Sequence, residues 1–509
     1  MSPIVSPSLD DPVIRGVSTI IGGPVGAHAR PARRRWFRAP LTLLMLATAV
    51  TFGLGYVQKK PCRDHGWTNE YQYTRLCYTD VWALYYSAGL DKGELPYRDR
   101  AIEYPGLIGG TMWVAAQAAD RNASTAQPAG GDPRKAAPRS GDPKRYFDVT
   151  AVLLLGCALA VTVGLVRSSG PRPWDAAIFA LAPTLLLHGL TNWDLLAVAF
   201  ATLGVAAWAR RWPVAAGVCV GLGTAAKLYP VLFLIPLLAL GFRARRWREV
   251  VRLAIAAAGA FVLVNVPAFF VSARLLDPTE RCHGFFDPER AWWQFFNLNR
   301  CRVADWDSLW YAAQNRIGAL GLFGKDSGYM FDAIWLNVAS LTLFALALAG
   351  IVAVALTAPR RPRLAQLLFL TVASFLLVNK VWSPQYVLWL VPLAVLARPR
   401  WRMFLAWQFA EVFLTFTRYY FFIREDGLRR SPAVVMGLQP EFFLGAVLLR
   451  DILLIALMAL VVREIRHPHL DVVRRTGVDD PAGGVFDDAL DRDDYVPPLR
   501  PYPHAIATT

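Results

Sequence analysis

The sequence predicts an all-α integral membrane protein, a polytopic helical bundle of about 12 spans with a large first loop outside the membrane. Three observations carry that expectation. Of the 509 residues 55% are hydrophobic, with a mean hydropathy of +0.33. The apolar residues come in blocks of membrane-spanning length. The arginines behind the net charge of +16 sit at the ends of those blocks. That is the pattern of cytoplasmic anchoring, and no basic face with interleaved aromatics stands apart from it, so nucleic acid is not expected as a partner.

Taken in order, residues 1–37 carry basic residues, Pro and Gly and are expected to form a disordered cytoplasmic N-terminus. The apolar block 38–57 is followed by no small-residue cleavage site and reads as a retained signal anchor. Further spans are expected at 148–166, 174–190, 195–209, 213–227, 228–242, 250–271, 333–357, 363–379, 384–397, 403–422 and 440–463, so that 38–463 forms the functional bundle. Several are shorter than the roughly 20 residues a crossing needs, which suits tilted helices around a cavity or a locally thinned bilayer. Beyond them, 464–509 is expected to be a disordered cytoplasmic tail, because Asp471–Thr509 has too few apolar residues for a core.

If Arg210-Arg211, Arg243–Arg248, Arg360–Arg363 and Arg398–Arg402 all face the cytoplasm, then 272–332, 380–383, 423–439, Thr191–Asp194 and Lys227–Pro230 lie outside. The same alternation makes 58–147 one external region. The apolar run 104–120 within it should then lie along the membrane surface or re-enter. A full crossing there would give about 13 spans and break one of the later anchors. Four cysteines fall in these external loops as near pairs, Cys62 with Cys77 and Cys282 with Cys301, which fits an oxidising compartment. Spacing alone leaves both disulfides open. Cys157 and Cys219 lie within spans and read as small packing residues.

The unusual polar clusters map to that same side: Asp80 and Glu103, Asn192 and Asp194, Lys227 with Tyr229, and Lys380 with Gln385. Polar groups beside an apolar core are costly unless they pair or line a wet cavity, so several at one depth predict a site. Each alone has a plainer reading as a helix cap, a snorkelling lysine or an interfacial aromatic. Pro230 suits the start of a helix and leaves Lys227 near the surface, a point charge suited to phosphate. Asn379–Tyr386 repeats that arrangement around Lys380. The loop 272–332 adds Arg281, Arg290, Arg300, Arg302 and Arg316 among Trp292, Trp293, Phe295 and Phe296, suited to lipid headgroups or a phosphorylated lipid, or equally to an interfacial belt with no ligand. No Walker A pattern or dinucleotide fingerprint occurs, and His188 and His283 are isolated, which disfavours ATP-driven transport and leaves no metal-ligand motif.

Four blocks of residues carry a resemblance: Tyr78-Thr79-Asp80 with Leu95–Arg98 and Glu103-Tyr104-Pro105, then Asn192–Asp194, then Lys227–Pro230, and finally Lys380 with Ser383–Tyr386. In them the chain resembles the polyprenol-phosphate-sugar-dependent glycosyltransferases of the GT-C superfamily, most closely the bacterial α-mannosyltransferases of glycosyltransferase family 87. The catalytic subunit of the eukaryotic GPI mannosyltransferase I looks like a more distant relative.

The resemblance implies a GT-C-type bundle with juxtamembrane helices in its first loop, in the cell membrane, its site on the extracytoplasmic face. It implies an inverting transfer of a hexose, mannose first, from a polyprenyl-phosphate sugar to a lipid or glycan acceptor of the cell envelope. Asp80 takes the place of the general base, with Glu103 as its rival. Tyr97, Arg98, Tyr104, Asn192, Asp194, Lys227, Tyr229, Lys380, Gln385 and Tyr386 take substrate-binding places. Some relatives carry an Asp-x-Asp pair where this chain has Asp80-Val81-Trp82, so no cofactor is certain and a divalent metal is left open. Two alternatives use the same lipids. A flippase or transporter should show internal repeats and polar groups at mid-membrane, which the sequence lacks. A glycan polymerase or ligase would differ in its acceptor.

Overall fold

The computed structural model describes residues 4–5, 10–23, 40–120, 142–273, 290–319, 333–430, 436–487 and 489. These residues form a polytopic helical bundle without strands. In chain order the helices are α1 (Pro12–Gly22), α2 (Pro40–His65), α3 (Asp80–Ser87), α4 (Gly106–Asp120), α5 (Pro143–Ser168), α6 (Pro183–His188), α7 (Asp194–Ala209), α8 (Pro213–Ala226) and α9 (Leu234–Arg243). There follow α10 (Trp247–Val271), α11 (Gln294–Cys301), α12 (Leu309–Ala319), α13 (Ala333–Thr357), α14 (Leu364–Val378), α15 (Val387–Ala397), α16 (Trp401–Arg430) and α17 (Pro440–Arg466). Among them α2, α5, α10, α13 and α17 are long and apolar enough to cross a membrane, and α7, α8 and α14 are shorter apolar helices.

The period of the apolar residues places most elements, and packing adds the rest. Gly217 and Gly221 let α8 meet α10 backbone to backbone: a Cβ at either would stand 2.2 Å from the carbonyl oxygen of Leu253 or Ala257. That is the small-xxx-small contact of membrane helices. The expected span 174–190 is not one helix. It breaks into Pro173–Ala176, Ala177–Ala180 and α6, with Ala182 extended before Pro183, whose ring and missing N–H end the preceding turn.

The run 104–120 becomes α4, which packs against α5, α8 and α10 with Ile108, Met112, Ala115 and Ala119 buried. At 15 residues it is also shorter than the roughly 20 of a crossing helix. Cys62 and Cys77 are disulfide-bonded, joining the end of α2 to the segment before α3. Cys282 lies outside the described residues, as does the loop middle 121–141.

Both expected disordered ends need correction. Residues 10–22 are not disordered: Asp11 caps α1 through the amides of Val13 and Ile14 and accepts from the Trp401 amide, while Asp10 pairs with Arg172 at 2.6 Å. At the C-terminus, 464–487 is not a free tail. Val472, Val473, Ala482 and Phe486 are buried, and the Trp208 indole donates to the Gly483 carbonyl at 2.8 Å. The segment has too few apolar residues for a core of its own but shares the bundle's. Its carboxylates meet arginines read from sequence as cytoplasmic anchors: Asp471 holds Arg363 at 2.7 Å, and Asp479 meets Arg360 and Arg361 at 3.1 Å as well as Arg474 of its own segment at 3.0 Å.

Arg363 and Asp471 are both buried, so Asp471→Ala is expected to leave an uncompensated guanidinium and lower stability by about 3 kcal/mol. Thermal unfolding in detergent micelles checks this, and an unchanged midpoint would show that the pair does not fasten the segment.

Candidate active site

The site forms where the segment leading into α3 meets the α6–α7 turn. Thr79 caps α3 by accepting from the Val81 amide (3.2 Å) and donates its hydroxyl to the Leu190 carbonyl (2.7 Å). The Asp80 amide donates to the Thr191 carbonyl at 2.8 Å. With its backbone fixed on both sides, Asp80 presents its carboxylate to two donors: the Tyr78 hydroxyl at 2.7 Å on one oxygen and the Asn192 amide at 2.6 Å on the other. Asn192 also donates to the Tyr104 hydroxyl at 2.6 Å and accepts from the Trp193 amide at 2.6 Å, which fixes its orientation. Loss of water raises the Asp80 carboxyl above its ordinary range, and Glu103 adds to this, against the lowering by Tyr78, Asn192 and Lys227.

Asp80 opens onto a cavity of about 830 Å³, also lined by Glu103, Tyr104, Lys227, Tyr229, Lys380, Gln385 and Tyr386. Three cationic side chains line it and differ in how they are held. Lys227 is buried, 3.4 Å from the Asp194 carboxylate and 4.4 Å from the centre of the Tyr104 ring. Lys380 donates to the carbonyls of Arg300 (3.0 Å) and Arg302 (2.5 Å), and burial with the nearby Arg302 charge pushes it down to about 8. Arg302 makes a 3.1 Å ion pair with Glu103 that joins the segment after α11 to the segment before α4; both side chains are partly exposed.

Asp194 does not line the cavity but lies behind it, accepting from the Trp389 indole at 2.7 Å. Trp389 in turn stacks between Tyr229 (4.4 Å) and Tyr386 (4.0 Å), an aromatic wall on one side of the cavity. Asn192 likewise stands behind, holding Asp80 and Tyr104.

Two predicted binding residues lie elsewhere. Tyr97 is buried with its hydroxyl donating to the Tyr104 and Pro105 carbonyls (3.0 and 2.9 Å), and its backbone has φ +68°, rare for a bulky residue. It shapes the Glu103-Tyr104-Pro105 segment without touching the cavity; Gly109 admits its hydroxyl, where a Cβ would come within 2.3 Å. Arg98 is 60% exposed and pairs with its neighbour Asp99. Both belong to a local turn, and neither lines the cavity.

Asp305 and Trp389 line the cavity without having been singled out in the sequence, while Tyr78 and Arg302 stood out there only as members of a motif block and of a basic loop. Arg302 was one of five loop arginines with nothing to single it out. Trp389 sat inside an expected span, and its polar partner is 195 positions away. Among the described residues no three His, Cys, Asp or Glu side chains converge as metal ligands.

The sequence model of glycosyltransferase family 87 matches residues 144–380. That stretch contains Asn192, Asp194, Lys227, Tyr229, Arg302 and Lys380; Asp80, Glu103 and Tyr104 precede it, and Gln385 and Tyr386 follow. No curated protein matches the chain. The family match and the apolar helices support a membrane glycosyltransferase.

Trp389→Phe keeps the ring between Tyr229 and Tyr386 but withdraws the donor from buried Asp194. A loss of about 1–3 kcal/mol is expected in thermal unfolding. Wild-type stability in this variant would mean that Asp194 does not depend on the indole.

Proposed function

We propose that this membrane glycosyltransferase, similar to family 87, transfers a hexose, mannose first, from a polyprenyl-phosphate sugar to a cell-envelope glycolipid or lipoglycan on the extracytoplasmic side. The observation that carries the reading is a raised-pKa carboxylate, Asp80, sharing one cavity with Lys227, Lys380 and Arg302. A carboxylate and cations facing one space are what the displacement needs: a base for the acceptor hydroxyl and positive charge for the departing phosphate.

In this reading the acceptor O–H gives its proton to Asp80 as its oxygen bonds to the anomeric carbon. The bond from that carbon to the phosphate oxygen breaks, and the polyprenyl phosphate leaves with the electron pair. One displacement inverts the centre, so a β-linked donor gives an α-linked product. Arg302 is best suited to hold the leaving phosphate, because Lys380 is engaged by two carbonyls and Lys227 by Asp194. A planar guanidinium can also grip two phosphate oxygens at once. Glu103, paired with Arg302, serves as its resting counter-ion, which favours Asp80 as the base.

Transfer of radiolabelled mannose from polyprenyl-phosphate mannose, in membranes carrying the protein, tests this directly. Asp80→Ala is expected to lose about 10²–10⁴-fold in rate. Undiminished product from that variant would remove Asp80 from its role, and no transfer from any polyprenyl-phosphate sugar would overturn the reading.

The pH dependence gives a second check. Asp80 must be ionised to accept the proton, so the rate falls as pH drops through its raised pKa. The Asn192 hydrogen bond holds that pKa down. Asn192→Ala should therefore move the acid limb of the pH–rate profile to higher pH; a limb that stays in place would break the link between Asn192 and Asp80. Sidedness is tested with a cysteine at Ser124, which an impermeant maleimide should label from outside intact cells; protection would place the first loop on the other side.

A further inference from the structure

Behind the cavity, between α16, α17 and the two segments that carry Arg302 and Lys380, lies a group of buried charges: Asp307, Glu411, Arg418, Arg450 and Asp451. None of them lines the cavity. Arg418 grips both carboxylate oxygens of Asp307, its Nε at 2.9 Å. Arg450 reaches further. Its Nη2 donates to the Asp307 carbonyl at 2.6 Å, while its guanidinium lies 3.6 Å from the centre of the buried Trp382 ring. The Asp451 carboxylate stands 2.5 Å from its Nε as counter-charge.

Burying two arginines and three carboxylates in an apolar bundle is poor design for stability alone, since loss of hydration roughly cancels the attraction. Such groups are better understood by what they hold in place. Here one side chain touches two segments that are distant in sequence and adjacent at the cavity. Asp307 ends the stretch that carries Arg302 and Asp305 into the cavity, and Trp382 lies between Lys380 and Gln385. The same two segments meet directly where the Asp305 amide donates to the Lys380 carbonyl at 2.8 Å and Lys380 donates to the carbonyls of Arg300 and Arg302.

We infer that Arg450 is a positioning residue that sets the Arg302–Asp307 segment in register with the Lys380–Tyr386 segment, and so fixes where Arg302 stands in the cavity. Its part in catalysis rests on the proposed transfer reaction; its part in registering the segments does not. The interaction is built for this: the carbonyl fixes one edge of the guanidinium, and the indole face fixes its plane. Arg418 fastens Asp307 from the other side, so Arg450 bears on register more than on attachment.

The test uses full-length protein in micelles, with Arg450→Met and Trp382→Leu as separate variants and Leu454→Ala, one turn further along α17, as a control for general loosening. Hydrogen exchange is expected to rise together in 302–308 and 380–386 for the first two variants and not selectively for the third. Donor kcat/KM is expected to fall by about 10–100-fold through KM for the donor, with KM for the acceptor unchanged, because a shift near 1 Å in a charged ligand has effects of that size. Arg450→Lys, which keeps the charge but not the plane, should recover only part of the loss.

Exchange that rises evenly over the whole protein, or a donor KM that stays at the wild-type value, would reduce Arg450 to a structural residue and overturn the inference. If Arg450→Met does not fold, Trp382→Leu decides by the same two readouts. Should wild type transfer no sugar while exchange rises in the two segments only, the functional reading fails and the register role stands.

Discussion

A carboxylate with no exposed surface, Asp194, sits at the start of α7, and the arrangement of the cavity follows from the need to satisfy it. An ionised group in apolar surroundings must find donors or countercharge. Asp194 takes the Trp389 indole and the Lys227 ammonium, which brings α15 and the end of α8 to the start of α7. Once there, Trp389 has its faces on Tyr229 and Tyr386, and Lys227 lies over the Tyr104 ring. Tyr104 reaches Asn192, and Asn192 reaches Asp80. A single buried charge thus organises residues from four separate stretches of the chain into one wall.

The opposite end of the bundle solves the same problem to a different end. There the arginines that follow α13 meet carboxylates from the last described segment, and Arg363 is enclosed by Asp471 and by the carbonyls of Leu396 and Ala397. Few unmet requirements remain around that guanidinium. At the cavity end, by contrast, the Arg302 guanidinium pairs with Glu103 and stays partly exposed. One end is closed by its ion pairs, and the other keeps a partly exposed cation at the cavity.

The apolar blocks made most of the long helices legible, because the membrane demands long runs without charge, but 174–190 broke into three short pieces and the helix expected at 403–422 runs on to Arg430. Convergence of the polar clusters was also legible, since Asp80, Lys227 and Lys380 had no other reason to share a depth. Division of labour among them was not. Sequence could not say that Lys380 would be drawn to two backbone carbonyls, that Tyr97 would turn inward, or that Trp389 would serve Asp194, because each depends on a partner brought near only by folding. Residues 464–487 were misread for a related reason: their apolar residues were counted alone, whereas Phe486 packs on Trp208, nearly three hundred positions earlier.

That last contact bears on how the protein is made. Helices enter the membrane in the order of synthesis, yet Arg363 meets Asp471 across 108 positions and Trp208 meets Gly483 across 275. At ~5–20 residues per second, Arg363 waits roughly 5–20 s for its carboxylate to emerge. During that interval the Arg363 guanidinium has the Leu396 and Ala397 carbonyls but not its carboxylate. The segment is therefore a late fastening: the bundle can reach its final form only after Gly483 has been synthesised.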